Sequence, residues 1–433
     1  MTAPASAARQ VLQVCIGEAG IALGRLDYIK QGQREHSSFA YDPGWLANDQ
    51  RFEVSPDLPL IPGHQPRRAA SAADSVFHGA LADTAPDAWG RRVIARAHAR
   101  RRRRSAGLAA LSELDYLAAV DDFSRVGALR LRNEQGEYLG QSAPGESATP
   151  PLVELGRMLG ASRAVESNQE TAEDLRYLLG KGTSLGGMRP KCTLLDDNGR
   201  LAIGKFPSIL DERSVTRGEV LAMRLARKAG IDTAPARIVV LEQAAVAVIE
   251  RFDRGPSEGR IPYLSAASLL QARRDGQTQH SYAELADAMR ARCSHPAQYV
   301  QQLWRRLVFN LLITNVDDHL HNHGFLYSGQ GQWRLAPAFD LNPFPDKDRE
   351  SKTWLAPDSG PIDSLAMLME QAPYFGLTEG AALDLLAQVQ RATTAWRAQA
   401  RSPAVGLRAD ELKDFAPAFE HEATQAARKM LAR

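Results

Sequence analysis

The chain has 433 residues, of which 44% are hydrophobic and 24% charged, and its formal net charge is +2. This is the composition of an ordinary folded protein with room for two or three domains, and the near-neutral balance gives no whole-protein field that would argue for nucleic acid. Cys15, Cys192 and Cys293 lie far apart without metal-ligand spacing, no apolar run approaches a membrane span, and the first residues lack a signal-peptide core. The expectation is a soluble cytoplasmic protein with no membrane partner.

In chain order, Val11 to Ile29 alternates loosely around Gly17, Gly20 and Gly24, which reads as short strands and turns. Ser55 to Pro66 is proline-rich and should be irregular. Asp83-Thr84 offers an N-cap for a helix through Trp89, Val93 and Ile94. That helix runs into Arg100 to Arg104, which suits either an acidic or nucleic-acid partner or, more plainly, a solvated helix end. Gly140 to Pro151 has linker composition, so a domain boundary falls there. Thr171 caps a helix carrying Leu175, Leu178 and Leu179.

Next comes Lys181-Gly-Thr-Ser-Leu-Gly-Gly-Met-Arg-Pro-Lys191, a glycine-rich loop whose N–H groups can cradle phosphate, although glycine pairs more often simply make turns. A hairpin around Asp196-Asp-Asn-Gly follows and ends on Lys205, inside the apolar strand Leu201-Ala-Ile-Gly-Lys-Phe. A lysine there needs a partner, phosphate or carboxylate, unless it snorkels at a strand edge. Glu219, near the start of a helix stopped by Gly230, is a candidate carboxylate. Arg237 to Leu241 and Ala244 to Phe252 read as two strands leading into the loop Glu250-Arg-Phe-Asp253. From Tyr282 onward the pattern is mostly helical, over Tyr282 to Met289, Val300 to Leu312, Ala381 to Trp396 and Leu412 to Leu431.

The polar cluster of this second half is Thr314-Asn-Val-Asp-Asp-His-Leu-His-Asn-His-Gly-Phe, beginning where the amphipathic helix through Leu303, Leu307 and Leu311 ends. Two short strands, His323 to Tyr327 and Gln332 to Phe339, would return Asp340 alongside Asn322. An Asp, an Asn five residues later and a second Asp suit phosphoryl transfer: Asp317 can accept a hydroxyl proton, while Asn322 and Asp340 can hold magnesium. Taken singly, each of these residues is more often a cap or turn residue. The alternation of His319, His321 and His323 leaves a metal-dependent hydrolase as a second reading. The order of glycine-rich loop, lysine strand, helix with Glu, hinge, helical region and Asp/Asn loop is that of a bilobal kinase.

These motifs together resemble the HipA family, the serine/threonine kinase toxins of bacterial toxin–antitoxin modules. Asn315 to Phe325 resembles the catalytic loop, Ala338-Phe-Asp340 the metal-binding D-F-G counterpart, and Ser184-Leu-Gly-Gly-Met-Arg-Pro-Lys191 the phosphate loop. Gly204-Lys205-Phe-Pro resembles the ATP lysine strand, Val248-Ile-Glu250-Arg-Phe-Asp-Arg the hinge, and Phe77 to Arg92 the N-terminal subdomain. His321 stands where many members carry Lys or Arg, and an imidazole would stabilise the γ-phosphate less than a fixed cation.

The resemblance implies an α+β, bilobal protein-kinase-like fold with an N-terminal β-containing subdomain and a mostly helical C-terminal lobe. Its segments would be 1–145, an ATP-binding lobe 146–255 and a helical lobe 256–433. It implies ATP and Mg2+ as cofactors and Asp317, His319 and Asn322 as catalytic-loop residues, with Asn322 and Asp340 holding the metal. Gly186, Gly187, Lys191, Lys205, Glu250, Phe252, Asp253, His319, Asn322 and Asp340 would contact nucleotide, and Ser184 would be an autophosphorylation site. It further implies an aminoacyl-tRNA synthetase substrate, glutamyl-tRNA synthetase being the family's best-known target. A small HipB-like DNA-binding antitoxin would be the partner, with DNA reached through it. A non-toxic kinase of this fold and a catalytically weak corepressor are the remaining alternatives.

Overall fold

The computed structural model describes residues 8–105, 107–141, 149–181, 187–255, 259–273 and 278–432. The chain divides into two compact units, Met1–Ile209 with Asp253–Thr278, and Leu210–Phe252 with Gln279–Arg433. Among the described residues no helix is long and apolar enough to cross a membrane.

The first unit is built on a five-stranded antiparallel sheet in the order Gln65–Arg68, Arg34–Tyr41, Ile21–Gln31, Ala8–Ile16, Leu129–Arg132. The loose alternation around the glycines therefore resolves into two long strands. Gly17 and Gly20 (φ +74° and +64°) make the turn between them. Leu23, Leu26 and Tyr28 are buried on the same strand. The helix expected from Asp83 starts later, at Ala88, and runs to Arg104 with Asp87 as its N-cap. Asp83 instead closes the short helix Gly79–Ala82. Pro86 explains the interruption, because it disfavours helical backbone at Ala85 and has no N–H to give. Arg101 to Arg104 are exposed, while the Arg100 guanidinium reaches the carbonyl of Glu170. The linker expected at Gly140 to Pro151 falls largely on residues 142–148, outside the described residues. Beyond it the helices Leu155–Glu166 and Ala172–Lys181 lead to the hairpin Lys191–Leu195 and Leu201–Lys205.

The second unit begins with the helix Val215–Lys228, which is closed by Gly230 at φ +76°. The antiparallel pair Ala236–Leu241 and Ala244–Glu250 follows. The helix read from Val300 starts at Pro296, whose missing N–H costs nothing at a first helical position, and ends at Leu312. Leu303, Trp304, Leu307 and Val308 are buried along it, and Trp304 Nε1 donates to the Leu368 carbonyl at 2.9 Å. The hairpin after it pairs Gly324–Gly329 with Gln332–Leu335. The last helical stretch is two helices, Glu411–Phe419 and Glu422–Leu431. At the start of the second, His421 N–H donates to the Thr424 hydroxyl (3.1 Å), which donates to the His421 carbonyl (2.7 Å).

Candidate active site

Within the second unit, the Asp/Asn loop hangs from the end of the Pro296–Leu312 helix. Thr314 leaves that helix at φ +53°, a conformation that a β-branched residue resists. It is held there by its hydroxyl donating to the Ala418 carbonyl (3.1 Å) and by Phe344 N–H donating to its own carbonyl (3.1 Å). Below the loop lies a continuous buried polar network. Asn315 Nδ2 donates to Asn310 Oδ1 (3.0 Å), and Asn310 Nδ2 donates to Asp318 Oδ2 (2.7 Å). Asp318 also accepts from the Tyr282 hydroxyl (2.5 Å) and faces His323 Nε2 at 3.1 Å. Its carbonyl accepts from the Thr353 hydroxyl at 3.0 Å. Burial works to raise the Asp318 pKa, but the His323 charge and these hydrogen bonds outweigh it and hold the carboxyl below its usual value. Burial, and then the Asp318 charge beside it, drive the Tyr282 pKa well up.

The side chain that braces the loop from below is thus Asp318. His319 contributes backbone bonds: its N–H donates to the Asp317 carbonyl (3.1 Å) and its carbonyl accepts from Asn322 N–H (2.8 Å). Asn322 Nδ2 also reaches the Asp317 carbonyl at 3.0 Å, so the two residues five apart are brought together. The Asp317 carboxylate is part-exposed and ion-paired with Lys352, itself 57% exposed. The three alternating histidines do not converge. His323 is buried on Asp318, whereas His319 and His321 sit edge to face with ring centroids 5.8 Å apart. Among the described residues, no group of three or more His, Cys, Asp or Glu side chains could hold a metal ion. A magnesium ion arriving with nucleotide needs only one or two protein oxygens, since phosphate and water supply the rest.

The hairpin register continues as far as Ala336 N–H donating to the Gly324 carbonyl (2.8 Å), which returns the chain to the Asn322 end. There the strand leaves its partner: Ala338 N–H donates to the Asp232 carbonyl (2.8 Å), and Asp340 takes φ +56°. Asp340 Oδ1 accepts from Asn342 Nδ2 (3.1 Å), and Asn342 N–H donates to Asn315 Oδ1 (3.3 Å), so the buried network reaches Asp340. Asn322 and Asp340 are hard oxygen donors at one end of one hairpin, which fits magnesium. Arg306, fully buried, donates to the Ala336 carbonyl at 2.7 Å and fastens the hairpin to its helix. Phe252 of the hinge lies 5.5 Å from Phe339, ring to ring, so the two neighbouring site segments touch through aromatic side chains. Glu250 N–H is taken by the Pro235 carbonyl (2.9 Å). Glu219 is buried on its helix.

The remaining expected residues belong to the first unit. Ser184 and Gly186 lie outside the described residues. Lys205 ends its strand directly opposite Lys191. Lys191 is buried and paired with Asp87. Asp253 is also buried: its Oδ2 accepts from Gly127 N–H (2.8 Å) and from Arg254 Nη1 (2.7 Å). Asn310 was the legible but missed signal, an amide on the apolar side of an otherwise hydrophobic run.

Residues 14–132 match the HipA N-terminal domain family, and residues 183–396 match the HipA-like C-terminal domain family. "Putative kinase Y4mE" of Sinorhizobium fredii is 27% identical over 326 residues, covering 70% of this chain and 71% of its own. A "Putative kinase" of Haemophilus influenzae is 22% identical over 190 residues, 38% of this chain and 55% of that protein. Among solved structures, Shewanella oneidensis HipA, determined in complex with HipB and its operator DNA, superposes with a TM-score of 0.65 at 18% identity, covering 97% of this chain and 96% of that one. With the N-terminal and C-terminal domains present in one chain and an α+β, kinase-like fold along nearly its whole length, the chain belongs to the HipA family of kinases.

Proposed function

We propose that the chain is an ATP- and magnesium-dependent protein kinase acting on serine or threonine. The observation that carries this reading is the presentation of Asp317: part-exposed, five residues before Asn322, which donates to its carbonyl at 3.0 Å, on a loop braced from below by Asp318. Asp317 orients the acceptor hydroxyl and takes its proton as the phosphoryl group transfers. Asn322 and Asp340 hold magnesium, which when bound offsets charge on the phosphate oxygens. His319 fixes the loop backbone between Asp317 and Asn322. The backbone near Glu250 and Phe252 receives adenine; with Glu250 N–H already engaged, the contact falls to the groups beyond it. Lys205 holds phosphate oxygens with Glu219 as its candidate carboxylate, and Gly186, Gly187 and Lys191 form the phosphate loop. Asp253, buried against Gly127 and Arg254, is the weakest of the nucleotide assignments.

The wider reading is that of the toxin arm of a toxin–antitoxin pair, with a HipB-like antitoxin bridging to DNA and an aminoacyl-tRNA synthetase as substrate. The HipB and operator DNA that accompany the Shewanella HipA support the partner; the substrate rests on family resemblance. The segment boundaries near 145 and 255 belong to this proposal, the first falling in the gap between the two family matches. So do a cytoplasmic location and Ser184 as a site of self-phosphorylation. The test is incubation with labelled magnesium-ATP and a cell lysate, followed by phosphosite mapping, with Asp317→Ala beside the wild type. We expect transfer to serine or threonine, including Ser184, reduced about a thousandfold or more in the variant. Equal incorporation by both proteins refutes the assignment.

A further inference from the structure

Asp87 has two tasks. Its Oδ1 caps the Ala88–Arg104 helix by accepting from Gly90 N–H at 2.7 Å. Its Oδ2 lies 3.1 Å from Lys191 Nζ, and the two side chains are 7% and 3% exposed. An ammonium that deep is strongly destabilising unless it is paired, so the contact is a structural commitment of the fold. Three further features surround it. Trp89 N–H, in the first turn of the same helix, donates to the Gly187 carbonyl at 3.3 Å. Phe206 N–H, just beyond Lys205, donates to the Pro190 carbonyl at 2.9 Å. Gly187 sits at φ +89°, and a Cβ there would lie 2.8 Å from Lys191 Nζ. The limb Gly187–Lys191 is therefore clasped between a helix N-terminus and the end of the Lys205 strand, closely enough that a side chain at 187 would press on the ion pair.

Charge adds a second argument. Lys191 and Lys205 are direct cross-strand partners, and opposite residues of an antiparallel pair share a face and repel when alike in charge. The Asp87 carboxylate neutralises Lys191 and so relieves that repulsion. The contact also joins the two family segments, since Asp87 lies within 14–132 and Lys191 within 183–396.

We propose that Asp87 and Lys191 form a latch by which the N-terminal domain holds the phosphate-binding limb in shape, making Asp87 a positioning residue for the nucleotide. This rests on the kinase reading above. A carboxylate has no business on phosphate directly, so any effect of Asp87 on nucleotide affinity must travel through the limb.

The test uses the full chain with Asp87→Asn, Lys191→Met and the double variant. Asp87→Asn keeps an oxygen for the helix cap and removes the charge, and Lys191→Met removes the buried charge at similar length. Hydrogen exchange is followed in the peptides carrying Trp89 and 187–191, and magnesium-ATP affinity by calorimetry. Leu117→Ala, a cavity variant elsewhere in the same unit, serves as a control that lowers the thermal midpoint alone. We expect faster exchange at both peptides and a Kd raised roughly ten- to a hundredfold in each single variant, with the double variant no worse, and neither change in the control. Unchanged exchange in both single variants overturns the latch, and so does faster exchange with unchanged Kd. If the wild type binds ATP and Lys205→Met abolishes binding while Asp87→Asn and Lys191→Met leave it unchanged, the latch alone fails. If the wild type binds no magnesium-ATP, the kinase reading fails with it.

Discussion

The Asp317–Asn322 loop and the Gly187–Lys191 limb are both irregular segments that carry proposed ligand-binding residues, yet they are held in different ways. The loop stands on a branched network in which Asp318 alone engages Asn310, Tyr282, His323 and, through its carbonyl, Thr353. The bonds described for the limb are the Asp87–Lys191 ion pair and backbone bonds at Gly187 and Pro190. A branched buried network fixes one geometry, because losing any member leaves the others unsatisfied in a medium without water. The part proposed to do chemistry is thus braced by a branched network of side chains, and the part proposed to cover phosphate by a buried ion pair and backbone bonds.

This contrast can be broken most directly at Asp318. Replacing it by alanine leaves His323, Tyr282 and Asn310 without their shared acceptor, and chemical denaturation should record a loss of about 3–5 kcal/mol in the second unit. A loss below about 1 kcal/mol would mean that the network does not brace the loop.

Acid should separate the units. Burial lowers the pKa of His78, in the first unit, and of His421, in the second, from 6.5 to about 4. A histidine that binds protons less readily when folded makes stability fall as pH drops from about 6.5, levelling off below about 4, by roughly 3 kcal/mol each. In the first unit burial raises the Asp83 carboxyl from 3.8 to about 6. That group is destabilising while ionised, and the penalty is relieved as pH falls over much of the same window, so it offsets His78. In the second unit Asp318 runs the other way: its lowered pKa contributes stability above the ordinary carboxylate value that is lost on further acidification. Hydrogen exchange across pH 6.5 to 4 should therefore show the second unit opening first, and simultaneous opening would remove the distinction.

The smallest expected effect is at Lys352, whose pairing with Asp317 is largely exposed. Lys352→Ala should change the unfolding free energy by less than about 1 kcal/mol, and a larger loss would place Lys352 within the brace rather than at its solvent edge.

Periodicity along the chain located most helices and the hairpins Lys191–Leu195 with Leu201–Lys205 and Gly324–Gly329 with Gln332–Leu335, because an apolar stripe at helical or strand spacing is a local property that burial then satisfies. Motif order located the HipA-like domains and the candidate residues Asp317, Asn322 and Asp340. The boundaries that shifted did so for near-local reasons, Pro86 delaying one helix and the His421–Thr424 hydrogen bonds marking the break in another. Pairing between distant residues had no such trace. Nothing near Asp318 in sequence announces Tyr282, and nothing near Lys191 announces Asp87, 104 positions away. Which of several adjacent polar residues is buried is decided only when helices and strands from elsewhere close over them. Desolvation then forces each buried charge to find a partner, and the partner is whatever the tertiary fold has brought within hydrogen-bonding reach.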